Sequence, residues 1–236
     1  MPGDQARALF KSSSNLVPIP SLLGALITFF GLPRIDRRIF EHDHISKFEA
    51  GTGLLTRHGD PSRRIMEHQR KDFITFLHGT NLKRIMARHM ANLVREISLV
   101  ENVDKEWVIF PDLYRLVTAW IFRAQVQALY GTLLLQRLPS LFDDFCAFYE
   151  AFPVVSRRLP QWLSPSAYRA QKRMQENFRD WNKLRKGLSQ RESDISDVDY
   201  DPVCGSAYIQ RMARRHEELG FSEEGIASVM FGYLFV

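Results

Sequence analysis

The chain has 236 residues, of which 45% are hydrophobic and 25% charged, with 13 Gly and 11 Pro. This composition is typical of a folded globular protein and excludes a wholly disordered, collagen-like or low-complexity chain. Two cysteines exclude a disulfide framework. The net charge of +5, from 32 basic and 27 acidic side chains, gives weak support for a nucleic-acid or membrane partner. The 17 Phe, 7 Tyr and 4 Trp predict either a large buried core or a large apolar cavity.

Residues 1–15 predict a short helix that ends in a polar turn. The apolar run at 16–33 has two interpretations, a signal or anchor segment and a buried helix near residues 21–30. The buried helix is favoured because Pro18 and Pro20 interrupt the run and no small-residue cleavage site follows. The run is also short for a spanning helix, which needs about 20 apolar residues. We therefore expect no N-terminal membrane anchor in this chain.

Residues 34–64 are charged and contain several glycines, which predicts a long surface excursion with little regular structure. Within it, His42 and His44 flank Asp43, so a metal site is one interpretation. A solvated loop is the favoured one, because no further cluster of ligand residues accompanies the pair.

Helical patterns dominate from residue 64 onward. A short helix fits 64–76, and Gly79 precedes a second helix whose apolar side chains recur at helical spacing. Those side chains are Leu82, Ile85, Met86, His89, Met90, Leu93, Val94 and Ile97. Pro111 and Asp112 start a third helix, which is apolar on most faces and runs to about Leu135.

The next helix begins at Pro139 and is rich in phenylalanine. It carries Phe142, Phe145, Phe148 and Phe152. A proline-containing loop at 153–164 follows and leads into a long helix at 165–190. This long helix is basic on its outer faces. Contact with phosphates is one interpretation, and a solvent-exposed basic face is the favoured one.

An acidic stretch at 191–201 predicts a solvated linker, within about residues 189–204. A helix at 206–219 follows, and Ser222 starts the last helix. That helix reads GIASVMFGYLFV over 225–236, without a charged residue, a capping glycine or a basic last turn. The terminal carbonyls of a buried helix need partners. The sequence therefore predicts a truncated chain or a covering second polypeptide, and a contiguous apolar patch on the final helix.

Motifs of common enzyme classes are absent: the sequence contains no GxGxxG after a strand, no P-loop, no GxSxG and no HExxH. Cys146 lies among aromatic residues on a predicted helix, and Cys204 follows the acidic stretch. Neither position has the features of a nucleophile or a metal ligand.

The order of these segments resembles a fungal cytochrome P450, towards the bile-acid and prostacyclin branch of that family. QARALFKSSSNL is similar to the early helix of the substrate-recognition region, and DFITFLHGTNLKRIMARHMANLV to helices C and D. LYRLVTAWIFRAQVQALYG is similar to helix E, and PSLFDDFCAFYEAFPVVSRRLPQWLSPSAYRAQKRM to helix F, the F–G loop and helix G. GSAYIQRMARRHEELGFSEEGIASVMFGYLFV resembles helix H and the first half of helix I. The resemblance implies a mainly α fold with little sheet, a single incomplete domain over 1–236 that extends from about helix B to mid helix I.

Members of this family oxidise lipophilic small molecules, including those of secondary metabolism, on a haem iron held by a cysteine thiolate. Their electrons come from an NADPH-dependent reductase. The E-x-x-R helix and the cysteine loop of the family have no counterpart in this sequence, so the resemblance implies a truncated monooxygenase that is inactive as it stands. Two alternatives are an active enzyme completed by a second polypeptide and a non-enzymatic helical interaction or scaffold protein.

The resemblance also implies site residues. Arg70 stands at the position of the cation that pairs with a haem propionate, with His68 and Lys71 as substitutes. Met66 occupies a position where many members have an aromatic residue. The implied wall of the substrate pocket consists of Phe145, Phe148, Phe152, Phe231, Leu234 and Phe235. Ordinary core packing is the alternative for each of these six, and no catalytic or metal-ligating residue is assigned.

Membrane contact is expected for the loop at 153–164, which combines Trp162 and Leu163 with Arg157 and Arg158. Apolar side chains of such a loop enter the interface while the bases meet anionic headgroups. The alternative is that Trp162 packs back on the following helix. The family implies the cytosolic face of the endoplasmic reticulum, and no nucleic-acid partner is expected.

Overall fold

The computed structural model describes residues 19–43, 45–48, 55–57, 60–100, 109–189 and 199–235. Within these ranges the chain is mainly helical, which confirms the predicted fold class. The α-helices are α1 (Ile19–Phe30), α2 (Ile65–Phe76), α3 (Gly79–Ser98), α4 (Leu113–Tyr130), α5 (Thr132–Arg137), α6 (Leu141–Ser156), α7 (Pro165–Ser189), α8 (Ala207–Glu218) and α9 (Glu223–Tyr233). The predicted helix at 1–15 and His44 lie outside the described residues.

Sheet structure is limited to two short antiparallel pairs in the described part of the chain. Strand β1 (Ile45–Phe48) pairs with β2 (Leu55–Arg57), and β3 (Tyr200–Asp201) pairs with β4 (Gly205–Ser206). Helix packing forms most of the core, and β4 is buried against α4.

Helix starts follow the capping residues of the sequence. Asp112 caps α4 by accepting a hydrogen bond from Arg115 N at 2.8 Å, and Ser222 caps α9 by accepting one from Gly225 N at 3.0 Å. Ser206 caps α8 in the same way. Each side-chain oxygen satisfies one of the backbone N–H groups that lack a partner in the first turn of a helix.

Aromatic side chains of α4, α6, α7 and α9 meet in the centre of the core. The Tyr130 ring lies 5.4 Å from that of Phe178 and 5.6 Å from that of Trp181, both in edge-to-face contact. The Tyr130 hydroxyl donates to Met230 O at 2.8 Å. This bond gives a hydrogen-bond donor to a backbone carbonyl in the last turn of α9. No partner for the terminal carbonyls of this helix could be identified from the sequence.

Two boundaries differ from the sequence prediction. The loop predicted from residue 153 begins at Arg157 instead, because α6 runs through Pro153 to Ser156. The helix predicted to reach Leu135 is interrupted at Gly131, which has φ 87° and separates α4 from α5. A side chain at Gly131 would overlap the carbonyl of Pro202, so the close approach of this β3–β4 turn requires glycine there.

The segment predicted as an irregular surface excursion is partly ordered and partly buried. It contains 3₁₀ helices at Asp36–Asp43 and Pro61–Arg63 in addition to β1 and β2. The Phe40 side chain is fully buried, and the Asp36 carboxylate accepts hydrogen bonds from Ser222 N and Oγ. This carboxylate ties the segment to the start of α9.

The acidic stretch also departs from a solvated linker where it is described. Asp199 forms a 2.9 Å ion pair with Arg88, whose guanidinium lies 4.1 Å from the centre of the Tyr200 ring. Residues 199–206 therefore pack against the helices, while residues 190–198 lie outside the described residues.

None of the helices described is both long enough and apolar enough to cross a lipid bilayer.

Candidate functional site

An apolar cleft lies between α1, α2, α3, α4, α8 and α9. It consists of two adjoining cavities of about 460 and 330 Å³, which share Phe73, Tyr208 and Tyr233 as lining residues. The larger cavity extends between α3 and α4, past Met86 and Ile121. Apolar clefts of this size with a few polar groups are the usual binding sites for small molecules.

Two tyrosines supply polar groups to this cleft. The rings of Tyr208 and Tyr233 meet edge to face with centres 5.9 Å apart. Burial raises the pKa of both phenols, and the nearby Asp72 charge raises the pKa of Tyr208 further. Both hydroxyls are therefore neutral at physiological pH and able to donate a hydrogen bond.

Of the three predicted haem-propionate cations, the cleft includes one. Arg70 lines the smaller cavity beside Met66 and has an exposed side chain. His68 forms a 2.7 Å hydrogen bond through Nε2 to Ser62 O. Lys71 is exposed and does not line either cavity. Arg70 is thus the cation that could meet an acid group of a ligand in the cleft.

The six predicted substrate-contact residues lie together on α6, on α9 and directly after α9, but they do not line either cavity of this cleft. Phe148 lies 4.7 Å from Phe231, and Phe235 lies 5.5 Å from Phe148 and 5.2 Å from Phe145, measured between ring centres. Phe152 completes this group of rings, and Leu234 is buried. We call Phe145, Phe148, Phe152, Phe231 and Phe235 the aromatic cluster.

Sequence reasoning missed the contribution of α1 to this cluster. The Phe30 ring lies 5.2 Å from Phe231 and 5.5 Å from Phe235, and the Phe29 ring lies 5.0 Å from Phe152. The apolar run at 16–33 predicted a buried helix, but its partner could not be read from spacing within the run. Helix α1 packs against both α6 and α9 at this cluster.

A buried histidine adjoins the cleft and was also missed. His216 on α8 is fully buried, with Nδ1 2.6 Å from Met212 O and Nε2 3.2 Å from the Gln69 amide nitrogen. Burial lowers its pKa to about 4, while the hydrogen bond to Met212 acts in the opposite direction. His216 is therefore neutral at pH 7, donating through Nδ1 and accepting through Nε2.

The residues of the cleft could contact the porphyrin and a propionate of a haem, but they include no cysteine that could ligate its iron. Phe73, Tyr233 and Val229 offer apolar surface for a porphyrin, and Arg70 offers a cation for a propionate. Both cysteines of the chain lie elsewhere: Cys146 is on α6, where burial raises the pKa of its thiol, and Cys204 is buried in the β3–β4 turn. Neither can supply a thiolate to an iron in this cleft, so no oxygen-activating step is derived from these residues.

Metal binding finds no support among the described residues, which include no group of three His, Cys, Asp or Glu side chains that could hold an ion. His42 has another role, because its Nδ1 accepts a hydrogen bond from Asp60 N at 3.1 Å.

The prediction of an exposed apolar patch on the final helix is wrong for the described residues. All residues from Gly225 to Phe231 of α9 are buried. Exposed apolar side chains instead lie on α3 and α4, where Leu82, Met86 and Ile121 also line the larger cavity. The exposed side chains are Leu82, Met86, Met90, Val94, Ile97, Leu113, Val117 and Ile121, which we call the α3–α4 face. Of the predicted apolar stripe on α3, only Ile85 is buried. Apolar residues at helical spacing predict an apolar face of the helix, but they do not show which element covers that face.

Comparison with known proteins identifies two relatives, both fungal cytochrome P450 monooxygenases. The chain is 30% identical to cytochrome P450 monooxygenase fsoE of Humicola fuscoatra over 148 residues, which are 61% of this chain and 26% of the relative. It is 23% identical to cytochrome P450 monooxygenase efuG of Hormonema carpetanum over 197 residues, 83% of this chain and 32% of the relative. No family model matches the chain, and no solved structure matches it.

These similarities support a relationship to the cytochrome P450 monooxygenases, in agreement with the resemblance of the sequence segments. The chain spans about a third or less of the length of the relatives it matches. The mainly helical structure described above is consistent with this relationship.

Proposed function

We propose that this chain is the substrate-side helical part of a cytochrome P450-type monooxygenase that oxidises a lipophilic small molecule of secondary metabolism. The observation that carries the proposal is the apolar cleft with Arg70 at its edge, in a chain whose relatives are cytochrome P450 monooxygenases. When bound, the haem of such an enzyme supplies oxygen activation. The chain's own residues bind the porphyrin face, orient it through a propionate and exclude water from the cleft.

Turnover by the 236-residue chain alone is not expected, because neither Cys146 nor Cys204 reaches the cleft. The monooxygenase reaction then requires a thiolate from a further segment of polypeptide, whether in the same chain or in a second one. The α3–α4 face offers an apolar surface against which such a segment can pack.

Titration of the purified chain with haemin tests the cleft directly. Quenching of tryptophan fluorescence should report binding, and Arg70→Ala should weaken it by about threefold to tenfold, as expected for the loss of one exposed or partly exposed charge pair of about 1 kcal/mol. Lys71→Ala is the matched control, because it removes an equal charge from the same helix outside the cleft. Equal haemin affinities of Arg70→Ala and Lys71→Ala, or no binding of haemin to the wild-type chain, would contradict the assignment of the cleft as a haem site.

A second candidate, a helical interaction protein, is favoured by the α3–α4 face. If association is the function, Val94→Glu, on the part of the α3–α4 face outside the cleft, should abolish self-association or partner binding, while haemin affinity of the wild-type chain should be negligible. Sedimentation of the wild-type and variant chains, together with the haemin titration, separates the two candidates.

The proposed enzyme also implies a reductase partner and a membrane location on the cytosolic face of the endoplasmic reticulum. Exposure in the loop at 157–164 supports this proposal, since Trp162 is 80% exposed and Leu163 is 57% exposed beside Arg157 and Arg158. Trp162 does not pack back on α7. With the other tryptophans replaced by Phe, its emission should shift to the blue on adding anionic vesicles, and less in Arg157→Ala/Arg158→Ala.

A further inference from the structure

A hydrogen-bonded chain runs from the backbone of α8 through His216 to Gln69 on α2. His216 Nδ1 lies 2.6 Å from Met212 O, and His216 Nε2 lies 3.2 Å from Gln69 Nε2. The imidazole is fully buried, and the Phe221 ring packs edge to face on it with ring centres 4.7 Å apart. The two nitrogens of this closely packed ring therefore have different neighbours.

The Met212 carbonyl determines which nitrogen of the imidazole carries the proton. A carbonyl oxygen can only accept a hydrogen bond, so His216 Nδ1 is the donor. In a neutral imidazole the other nitrogen, Nε2, is then an acceptor. Burial favours the neutral form of His216, because it disfavours the charged imidazolium.

The tautomer of His216 determines the orientation of the Gln69 amide. An acceptor at His216 Nε2 needs a donor, so the NH2 group of Gln69 lies toward it. With the amide turned round, Gln69 Oε1 would face the lone pair of Nε2, and the buried imidazole nitrogen would lack a hydrogen bond. The polar atom that Gln69 can offer to other partners is therefore Oε1.

This oxygen belongs to a residue of the apolar cleft. Gln69 lines the smaller cavity together with Arg70, Phe30 and Phe73. The Arg70 guanidinium can only donate hydrogen bonds, whereas Gln69 Oε1 can only accept them. A hydroxyl group is able to satisfy both, since its proton is donated to Gln69 and its oxygen accepts from Arg70.

We infer that His216 is a positioning residue that keeps the Gln69 carbonyl oxygen available to the smaller cavity, and that this cavity selects apolar ring compounds carrying a hydroxyl group. The inference takes from the proposed function only that the cleft is a ligand site. A compound that keeps the oxygen but lacks the hydroxyl proton loses one hydrogen bond, which corresponds to about threefold to tenfold in affinity.

The tautomer is tested by nitrogen-15 NMR of the 236-residue chain at neutral pH. His216 should show a proton on Nδ1 and none on Nε2. Comparison with His216→Gln identifies its signals among those of the seven histidines. A proton on Nε2, alone or together with one on Nδ1, would overturn the inference.

Ligand selection is tested with 2-naphthol and 2-methoxynaphthalene, which share a ring system and differ in the hydroxyl proton. Equilibrium dialysis should show that the wild-type chain binds 2-naphthol about threefold to tenfold more tightly. Gln69→Met keeps a similar side-chain volume and removes the acceptor, so this preference should disappear. Gln210→Met is the matched control and should retain the preference, because Gln210 donates to Gly205 O at 2.8 Å and lines neither cavity.

Two substitutions of His216 separate positioning from a structural role. Glutamine can place its carbonyl oxygen where Nε2 accepts from Gln69, so His216→Gln should retain the preference for 2-naphthol. Asparagine can replace the Nδ1 donor to Met212 O but is too short to reach Gln69, so His216→Asn should lose the preference.

Equal preferences in the two His216 variants, a preference that survives in Gln69→Met, or no binding of 2-naphthol by the wild-type chain would overturn the inference. Because no haem takes part, loss of haemin binding would defeat the proposed function and leave this result standing.

Discussion

Acidification should destabilise the fold through His216. The imidazole is fully buried, and its pKa is about 4 against 6.5 for an exposed histidine, chiefly because burial disfavours the charged form. The unfolded chain therefore binds a proton that the folded chain excludes between these two values. The contribution to stability is fully present above about pH 6.5 and is lost as the pH falls toward about 4.

The size of this effect follows from the difference in pKa. The shift from 6.5 to about 4 corresponds to about 3 kcal/mol in full, at about 1.4 kcal/mol per unit, and to about 2 kcal/mol by about pH 5. Protonation would also place an N–H on Nε2 against the Gln69 amide nitrogen 3.2 Å away, so the Gln69 amide would have to turn to accept it.

Urea denaturation of the wild-type chain and of His216→Gln at several pH values measures this contribution. The difference in unfolding free energy between the two proteins should shrink by about 2 kcal/mol between about pH 7 and about pH 5. Ile209→Val is the matched control, because it removes a methylene from the same buried side of α8, lowers stability by about 1 kcal/mol and adds no titrating group. A His216→Gln variant with the pH dependence of the wild type would refute the reasoning.

Two further predictions concern stability and are checked by chemical denaturation. Asp72→Ala should lower the free energy of unfolding by about 3–5 kcal/mol. Asp72 accepts two hydrogen bonds from the Arg215 guanidinium, at 2.7 and 2.9 Å, and both side chains are about nine-tenths buried. A loss below about 1 kcal/mol would show that water already screens the ion pair. Gly131→Ala should lower the free energy of unfolding by about 1–3 kcal/mol or more, because φ is 87° and the new side chain would overlap the Pro202 carbonyl. Gly187→Ala, in open space on α7, should instead stabilise the chain by about 0.5–1 kcal/mol, and similar effects of the two glycine substitutions would contradict the backbone argument.

Local chemistry in the sequence was sufficient to place most helices. Asp112, Ser206 and Ser222 each cap the helix predicted to follow them, and the helix predicted at 64–76 is found at Ile65–Phe76. Capping depends on neighbours within one turn, so it can be read from a single sequence. Pro153 was misread because a proline usually ends a helix, whereas here it lies inside α6.

Features that depend on distant contacts could not be predicted in the same way. The hydrogen bonds from Gln171 and Gln175 join residues more than 140 positions apart, and nothing in the pattern of α7 distinguishes these glutamines from solvated ones. His216 lies on an amphipathic helix, yet its complete burial depends on Phe221 and Gln69. The five residues of the aromatic cluster were predicted, with Leu234, as a pocket wall, but the packing of α1 against them is a tertiary property.

Under the proposed function, this chain provides a haem-facing cleft but not the thiolate that the chemistry requires. The most direct measurement is the absorbance spectrum of the haemin-loaded, reduced chain under carbon monoxide. We expect a haem spectrum without the thiolate-type band, and no NADPH-dependent oxidation of a substrate when a reductase is added to the chain. A thiolate-type band that disappears in Cys146→Ser or Cys204→Ser would contradict this expectation.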